Sequence, residues 1–388
     1  MRTALAWHNL TSSRNKLFLS AAGVGFAVLL MFMQIGFRNA LLDSNVQLIR
    51  IFDADIVIVS RARYNLSSER RFSRSLFESA LSVQGVDRGC ALRTERTQAV
   101  VKVEGHKAKS IRVLSLQPGR GFLKDARLED QLGLAEQTSG ALVDRRSKSS
   151  YGFDVDNQDE LRQQHVELNN KTLPLSGSFT LGTDFANDGS VLISERTFSK
   201  YFPFRSPSGD PLDTVDIGLV KILPGADIHA AVDAIAAVSP GEVDVLTMDD
   251  FVARELRFWS RNTPIGVIFG IGTIMGLIVG AIICYQIQFT EISDNMPELA
   301  TLKAMGYSPA YFWGLILCQS LYLACIGFIP GLTLSWMLYE MLAEASGLVM
   351  RLTPYRIGLV WTLTLMMCFV SGSLALRKLQ RADPAALF

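Results

Sequence analysis

Residues 291–309 read EISDNMPELATLKAMGYSP, a short polar segment between two long apolar runs. The run behind it covers 263–289 and the run ahead covers 310–338. A helix crosses a bilayer with about 20 apolar residues, so each run is long enough to span. A polar connector with unpaired backbone groups cannot stay in hydrocarbon, so it lies at one membrane face. The connector has the makings of a helix. Asp294 and Asn295 offer capping side chains, Pro297 suits a first turn, and Glu298 places a negative charge near the positive end of the helix dipole. Ala300, Leu302, Lys303, Ala304 and Met305 are good helix formers. Gly306 is placed to stop the helix, and Ser308-Pro309 to start the next. Two readings stand at this point. The segment is an ordered joint, or it is a handle by which something outside the membrane moves the spans.

Working outward, two further apolar runs complete the set, at 17–37 and 357–376. The first, LFLSAAGVGFAVLLMFMQIGF, exceeds the usual 7–15 residues of a signal-peptide core, and no A-x-A site follows it. It reads as an uncleaved anchor. Arg2, Arg14 and Lys16 precede it with no acidic residue, and Arg377, Lys378 and Arg381 follow the fourth run. Positive flanks favour the cytoplasm, so both termini are expected inside. The segment 38–262 and the loop 339–356 then lie outside, and 290–309 lies inside. Residues 1–16, with Trp7 among Ala4, Leu5 and Leu10, suggest an interfacial helix; residues 377–388 form a cytoplasmic tail. The expected fold is a membrane protein with four transmembrane α-helices and a large α+β periplasmic domain inserted between the first and second.

Glycines in the second span recur at four-residue intervals, Gly266 and Gly270 on one face, Gly272, Gly276 and Gly280 on another. Such spacing lets helix backbones approach closely, within one subunit or across a homodimer seam. Pro330-Gly331 is expected to kink the third span. The span cores carry no Asp, Glu, Lys, Arg or His. Ion-coupled pumps and proton relays place ionisable groups there, so that class is disfavoured.

The charge balance of 38 basic to 37 acidic residues lacks the basic footprint of a nucleic-acid protein. Of five cysteines, Cys284, Cys318, Cys325 and Cys368 fall in apolar runs and Cys90 stands alone. No CxxC occurs, so neither a structural disulfide nor zinc is expected. Within 38–262, residues 38–52 continue the first span as a stalk. Strands are expected at 54–60, 98–103, 110–116, 191–194, 215–223 and 243–247. Leu76, Phe77, Ala80 and Leu81 have helical spacing, and helices are expected at 228–238 and 247–261. Pro224-Gly225 and Pro240-Gly241 punctuate them. His106, His165 and His229 have no metal-ligand spacing. Ser208-Gly209-Asp210 reads as a turn, Asp249-Asp250 as a helix cap, and Asp144-Arg145-Arg146 as a charged surface patch. No Ser/His/Asp set is visible. Nor does the sequence contain G-x-x-x-x-G-K-[ST], the phosphate cradle of an ATPase, so any ATP is hydrolysed by another polypeptide.

The layout of one span, a large outer segment and three further spans resembles the FtsX/MacB-type permeases of ABC transport systems, also called type VII or mechanotransmission proteins, and within them the DevC subfamily. The residues that carry the resemblance are LAWHNL at 5–10, ADIVIVS at 54–60, PELATLKAMGYS at 297–308 and RADPAAL at 381–387. The resemblance covers the layout of the whole chain, with 297–308 its most specific run; the outer domain matches only loosely. It implies a homodimeric permease in a bacterial inner membrane, paired with a separate DevA-like ABC ATPase that binds ATP and magnesium. It further implies a DevB-like adaptor and a TolC-like outer-membrane channel. The ATPase-contacting coupling helix would comprise Pro297, Glu298, Leu299, Ala300, Thr301, Leu302, Lys303, Ala304, Met305, Gly306 and Tyr307. Unlike MacB, the sequence has no fused ATPase, and this chain is expected to hold no cofactor or metal.

The expected function is that of a non-catalytic permease subunit that passes ATPase motion through the connector and stalks to an outer domain, driving export of a lipid-like or other small cargo. Alternatives are an FtsX-like regulator of a cell-wall hydrolase and LolC-like lipoprotein release. Energy must enter from outside this chain, and the connector is the large ordered cytoplasmic surface able to receive it. That favours the handle over the joint.

Overall fold

The structure, a computed structural model, describes residues 14–380 except 207, 208, 240, 263, 349 and 351. Most of the expected interfacial helix, at 1–13, and the end of the tail, at 381–388, lie outside the described residues. The chain divides into two compact units. One comprises Met1–Asn39, Pro264–Ala343 and Met350–Phe388, the other Ala40–Thr263 and Glu344–Val349. Helix α1 (Arg14–Arg50) runs unbroken through the first apolar run and onward, so residues 38–50 are helical; Phe52 lies beyond its end.

The second unit follows in chain order. It contains β1 (Ile56–Ser60), β2 (Phe72–Ser73), α2 (Arg74–Leu81), β3 (Val86–Glu95), β4 (Val100–Val103), β5 (Lys109–Ser110) and β6 (Arg112–Leu116). Next come α3 (Ala126–Gln137), β7 (Ala141–Asp144), α4 (Gln158–Gln163), β8 (Val166–Leu168), β9 (Lys171–Thr172), β10 (Leu175–Phe179), β11 (Ser190–Ser194) and α5 (Glu195–Tyr201). It ends with β12 (Thr214–Val215), β13 (Ile217–Ile222), α6 (Ile228–Val238), β14 (Val243–Thr247) and α7 (Met248–Arg261). Eight strands form one mixed sheet in the order β10-β7-β11-β6-β3-β13-β1-β14. Strands β1, β6, β7 and β11 are buried along their whole length, which is why they read as nearly continuous apolar runs such as IVIVS and SVLIS. The ten-residue β3 joins the two halves, pairing through Val86–Leu92 with β13 and through Arg93–Glu95 with β6. One shared core packs Val57, Leu92, Leu114, Leu142, Leu192 and Leu219 with Val46 and Ile49 of α1 and Phe251 of α7. A second sheet, β5-β4-β8-β9, extends the domain.

The first unit adds α8 (Pro264–Asp294), α9 (Met296–Ala304), α10 (Pro309–Ser346) and α11 (Pro354–Gln380) to the beginning of α1. Helices α1, α8, α10 and α11 are each long and apolar enough to cross a membrane. The chain is thus a membrane protein that carries, among the described residues, four candidate spans, with an α/β domain inserted between the first and second. Helix α10 continues through Pro330 as one helix.

Candidate functional site

The connector forms a separate nine-residue helix, α9, between two spans. Its end is set by chemistry visible in the sequence. Gly306 adopts φ +89° and Tyr307 N donates back to Leu302 O at 3.3 Å, the bond that closes a Schellman-type C-terminus. At the other end, the Asn295 side-chain amide and backbone N–H both donate to Glu291 O, at 2.9 and 3.1 Å. Asn295 therefore ties the connector back to the end of α8. The rings of Tyr307 and Tyr311 meet at 4.7 Å and bridge α9 to the start of α10. Of the coupling residues inferred from sequence, Pro297, Glu298, Thr301, Ala304, Met305, Gly306 and Tyr307 are exposed and Leu302 is half-buried. Met305 is 63% exposed. A flexible apolar side chain displayed on a short capped helix suits recognition by a protein surface.

The helix termini beside the connector pack as a small aromatic-aliphatic cluster. Ile292, Ile316, Ala375 and Leu376 are buried, with Tyr285, Phe289, Phe312 and Trp313 against them. Small residues set the helix contacts deeper in the bundle. A Cβ at Gly272 would strike the side chain of Gln34, one at Gly276 would sit 3.6 Å from Leu30 Cβ, and one at Gly280 would strike Ala27 and Met367. Gly272, Gly276 and Gly280 thus face α1, and Gly280 also faces α11, within the same chain. Gly270 has no atom within 4 Å of its Cβ position, so that face of α8 is open.

Polar side chains cross between spans without any charge. Gln288 Nε2 donates to Cys368 O at 3.0 Å, and Ser320 Oγ donates to Gln288 Oε1 at 2.8 Å, joining α8, α10 and α11. Ser371 Oγ donates to Ala281 O at 2.8 Å, and the Tyr339 hydroxyl donates to Phe32 O.

This stretch of spans and connector has a known counterpart. Residues 270–384 match the family model described as FtsX-like permease C-terminal. The match covers under a third of the chain and holds α8 from Gly270, all of α9 and α10, and α11. No curated protein matches the sequence significantly. Among solved structures, the chain is similar to the periplasmic region of MacB from Actinobacillus actinomycetemcomitans, at 12% identity and TM-score 0.35, over 52% of this chain and 92% of that one. It is also similar to the extracellular domain of the noncanonic ABC-type transporter YknZ from Gram-positive bacteria, at 8% identity and TM-score 0.35, over 50% of this chain and 100% of that one.

The FtsX-like region holds contacts that its flanking sequence did not advertise. Gly25 of α1 meets Gly327 and Gly331 of α10 backbone to backbone: a Cβ at Gly25 would lie 3.2 Å from Gly327 O, and one at Gly331 would lie 2.8 Å from Gly25 O. Gly327 and Gly331 have the same four-residue spacing as Gly272, Gly276 and Gly280, and that spacing is the signal that finds them. Gly36 leaves room for the Tyr339 ring.

The α/β domain places its titratable groups in a brace. Arg205 pairs with Asp216, Arg71 Nη2 with Glu95 at 2.7 Å, and Arg63 Nη1 donates to Asp216 O at 2.9 Å. Burial holds the Arg205 guanidinium down at about 10, against the opposing pull of Asp216. Each of these charges faces an opposite charge, so the set stiffens the domain. Burial pushes the Cys90 thiol up to about 12, which makes it inert. Among the described residues no group of three or more His, Cys, Asp or Glu is arranged to hold a metal.

Two expectations about charged residues change. Asp144 does not belong to a surface patch: it is fully buried at the end of β7, and its carboxylate accepts the backbone N–H groups of Arg146, Leu181 and Gly182. The cap of α7 is Thr247, whose Oγ1 accepts Asp250 N at 3.1 Å and donates to Asp250 Oδ2 at 2.7 Å.

Proposed function

We propose that this chain is the permease subunit of an ABC transporter of the FtsX/MacB type, placed in a bacterial inner membrane. Its two termini and α9 face the cytoplasm and its α/β domain faces the periplasm. The observation that carries the reading is the family match over 270–384, which includes a short, exposed, glycine-capped helix between two spans. The lack of a phosphate-cradle motif in the sequence supports a separate DevA-like ATPase, which would hold ATP and magnesium. In this reading α9 is the coupling helix. The ATPase pushes on Pro297, Glu298, Leu302 and Met305, and the spans shift as rigid bodies. The outer domain then works with a DevB-like adaptor and a TolC-like channel to export a lipid-like or other small cargo. This chain carries no catalytic step. A homodimer would form through the open Gly270 face of α8, because Gly272, Gly276 and Gly280 are occupied within the chain.

The test is a double variant, Glu298→Lys with Leu302→Trp, in the full-length protein. Affinity purification of wild type from native membranes should bring down an ABC ATPase and an adaptor. The variant should insert normally yet lose the ATPase and abolish export. Normal transport by the variant would sink the coupling role, and co-purification of a cell-wall hydrolase would point to regulation instead.

A further inference from the structure

The link between α10 and α11 is seated in the outer domain. Glu344–Val349 belongs to the same compact unit as the α/β domain, although the helices on both sides belong to the bundle. Thr183 Oγ1 donates to Ser346 O at 3.1 Å, and Thr183 N donates to Gly347 O at 3.4 Å. Leu348 is buried. Gly347 has φ +73°, and a Cβ there would lie 2.9 Å from Arg146 O and 2.9 Å from Thr183 Cγ2. Neither the backbone angle nor the space admits another residue without strain.

The walls of this slot are themselves fixed. Asp144 Oδ1 accepts Arg146 N at 3.1 Å and Leu181 N at 2.9 Å, and its Oδ2 accepts Gly182 N at 2.8 Å. One buried carboxylate thereby sets both Arg146 O and the approach to Thr183. Asp184, next in the chain, is held in turn. Its Oδ1 accepts Ala186 N and Asn187 N, both at 2.9 Å, and Arg112 pairs with its Oδ2. The link therefore rests in a pre-set seat, unlike a loop that drapes over a surface.

We infer that Asp144 and Thr183 form a clasp on Ser346–Leu348 that gives α10 and α11 their own mechanical tie to the outer domain, beside the ties through α1 and α7. The inference rests on the proposed role as a force-transmitting permease. Motion of the last two spans then reaches the domain directly through six residues of chain. Thr183 and Asp144 are positioning residues for that motion.

The test uses full-length protein in nanodiscs with the ATPase that co-purifies with it. Thr183→Val keeps the shape and removes the hydroxyl donor; Gly347→Val removes the seat. Amide exchange reads the clasp without reference to transport. Both variants should raise exchange at 346–348 at least tenfold while β1, β6 and β11 keep wild-type protection. ATP hydrolysis by the complex should fall severalfold. Unchanged exchange in Thr183→Val overturns the clasp. Faster exchange with unchanged hydrolysis overturns its mechanical role, while the proposed function stands if the Glu298/Leu302 double variant still uncouples. If that double variant also leaves hydrolysis unchanged, the inference falls together with the reading beneath it.

Discussion

Replacing Gly331 by alanine tests whether close backbone approach holds the bundle. The added Cβ would lie 2.7 Å from Val28 Cγ1 and 2.8 Å from Gly25 O. Carbon atoms rest at about 3.5–4.0 Å, so the shortfall against Val28 is about 1 Å. Val28 is fully buried and β-branched, with essentially one rotamer available in a helix, so it cannot turn away. Gly25 O is backbone and cannot move without moving α1. Helices α1 and α10 must part, and overpacking of this kind costs about 1–3 kcal/mol. Gly270→Ala is the matched control. It meets nothing within 4 Å, and its better helix propensity adds up to about 1 kcal/mol of stability. That propensity gain is common to both variants and cancels, so the two should differ by the overpacking cost, about 1–3 kcal/mol, which is about five-fold to about 150-fold in an opening equilibrium. Cys284 and Cys368 report that opening, because they are buried in the same core as Val24 and Val28. With Cys90, Cys318 and Cys325 replaced by alanine, the thiol-labelling rate under native conditions follows the open population when reclosing is fast. Gly331→Ala should label far faster than Gly270→Ala. Equal rates for the two would refute the claim that glycine contacts set the approach of these helices.

Glu255 is fully buried and accepts Leu66 N at 2.8 Å and Trp259 Nε1 at 2.9 Å, and burial raises its pKa above the ordinary carboxylate value. The folded state then holds the proton better than the unfolded state. The stability that protonation confers is present at low pH and is lost as pH rises through the raised value. Glu255→Gln keeps an acceptor for both donors and removes the titration. Melting of the full-length protein, followed by tryptophan fluorescence between pH 5 and 7, should be less pH-dependent than wild type; an unchanged slope would remove Glu255 as its source. Gly306→Ala forces a side chain onto φ +89°, at a cost of about 1–2 kcal/mol. Amide exchange across 296–306 should rise, and unaltered protection there would rule out the glycine as the stop of α9.

The spans and the connector were legible because their signals are local. An apolar run crosses a bilayer by length alone, and a glycine placed after a run of helix formers ends a helix by its own backbone freedom. In the α/β domain Val243–Thr247 and Ile228–Val238 take their expected forms, since β-branched and alanine-rich runs carry their own preference. The long strand β3 was hidden, because VDRGCALRTE alternates poorly and its burial is imposed by β13 on one side and β6 on the other. Asp144 was misread for the same reason. A charge beside Arg145 and Arg146 looks solvated until Leu181 and Gly182, remote in sequence, bring their N–H groups to it. The glycine partnership of α1 with α10 had a spacing signal in Gly327 and Gly331, yet its partner, Gly25, is fixed only by packing.

The chemistry inside the bundle bears on how easily it is moved. Among the described residues, side-chain bonds that cross between spans include Gln288 to Cys368 O, Ser320 to Gln288, Ser371 to Ala281 O, Tyr339 to Phe32 O, and the thiol contact of Cys284 with Cys368. All are neutral. Interhelical hydrogen bonds in membranes contribute about 0.6 kcal/mol each on average, so losing these five costs about 3 kcal/mol. Burying even one unpaired charge in the same place would cost more than the whole set. A partner that moves a two-state equilibrium from 1:99 to 99:1 must favour one state by about 5.5 kcal/mol. These bonds together are weaker than that, so under the proposed coupling role a partner acting on α9 is not opposed by them to a prohibitive degree. The glycine contacts add shape without charge, and packed helices meeting at small residues can shift by sliding without breaking an ion pair. A bundle of this make resists loosening through packing and yields to directed force through its hydrogen bonds. That combination suits a transmitter better than an ion-coupled pump, whose coupling requires the buried charges that the span cores lack.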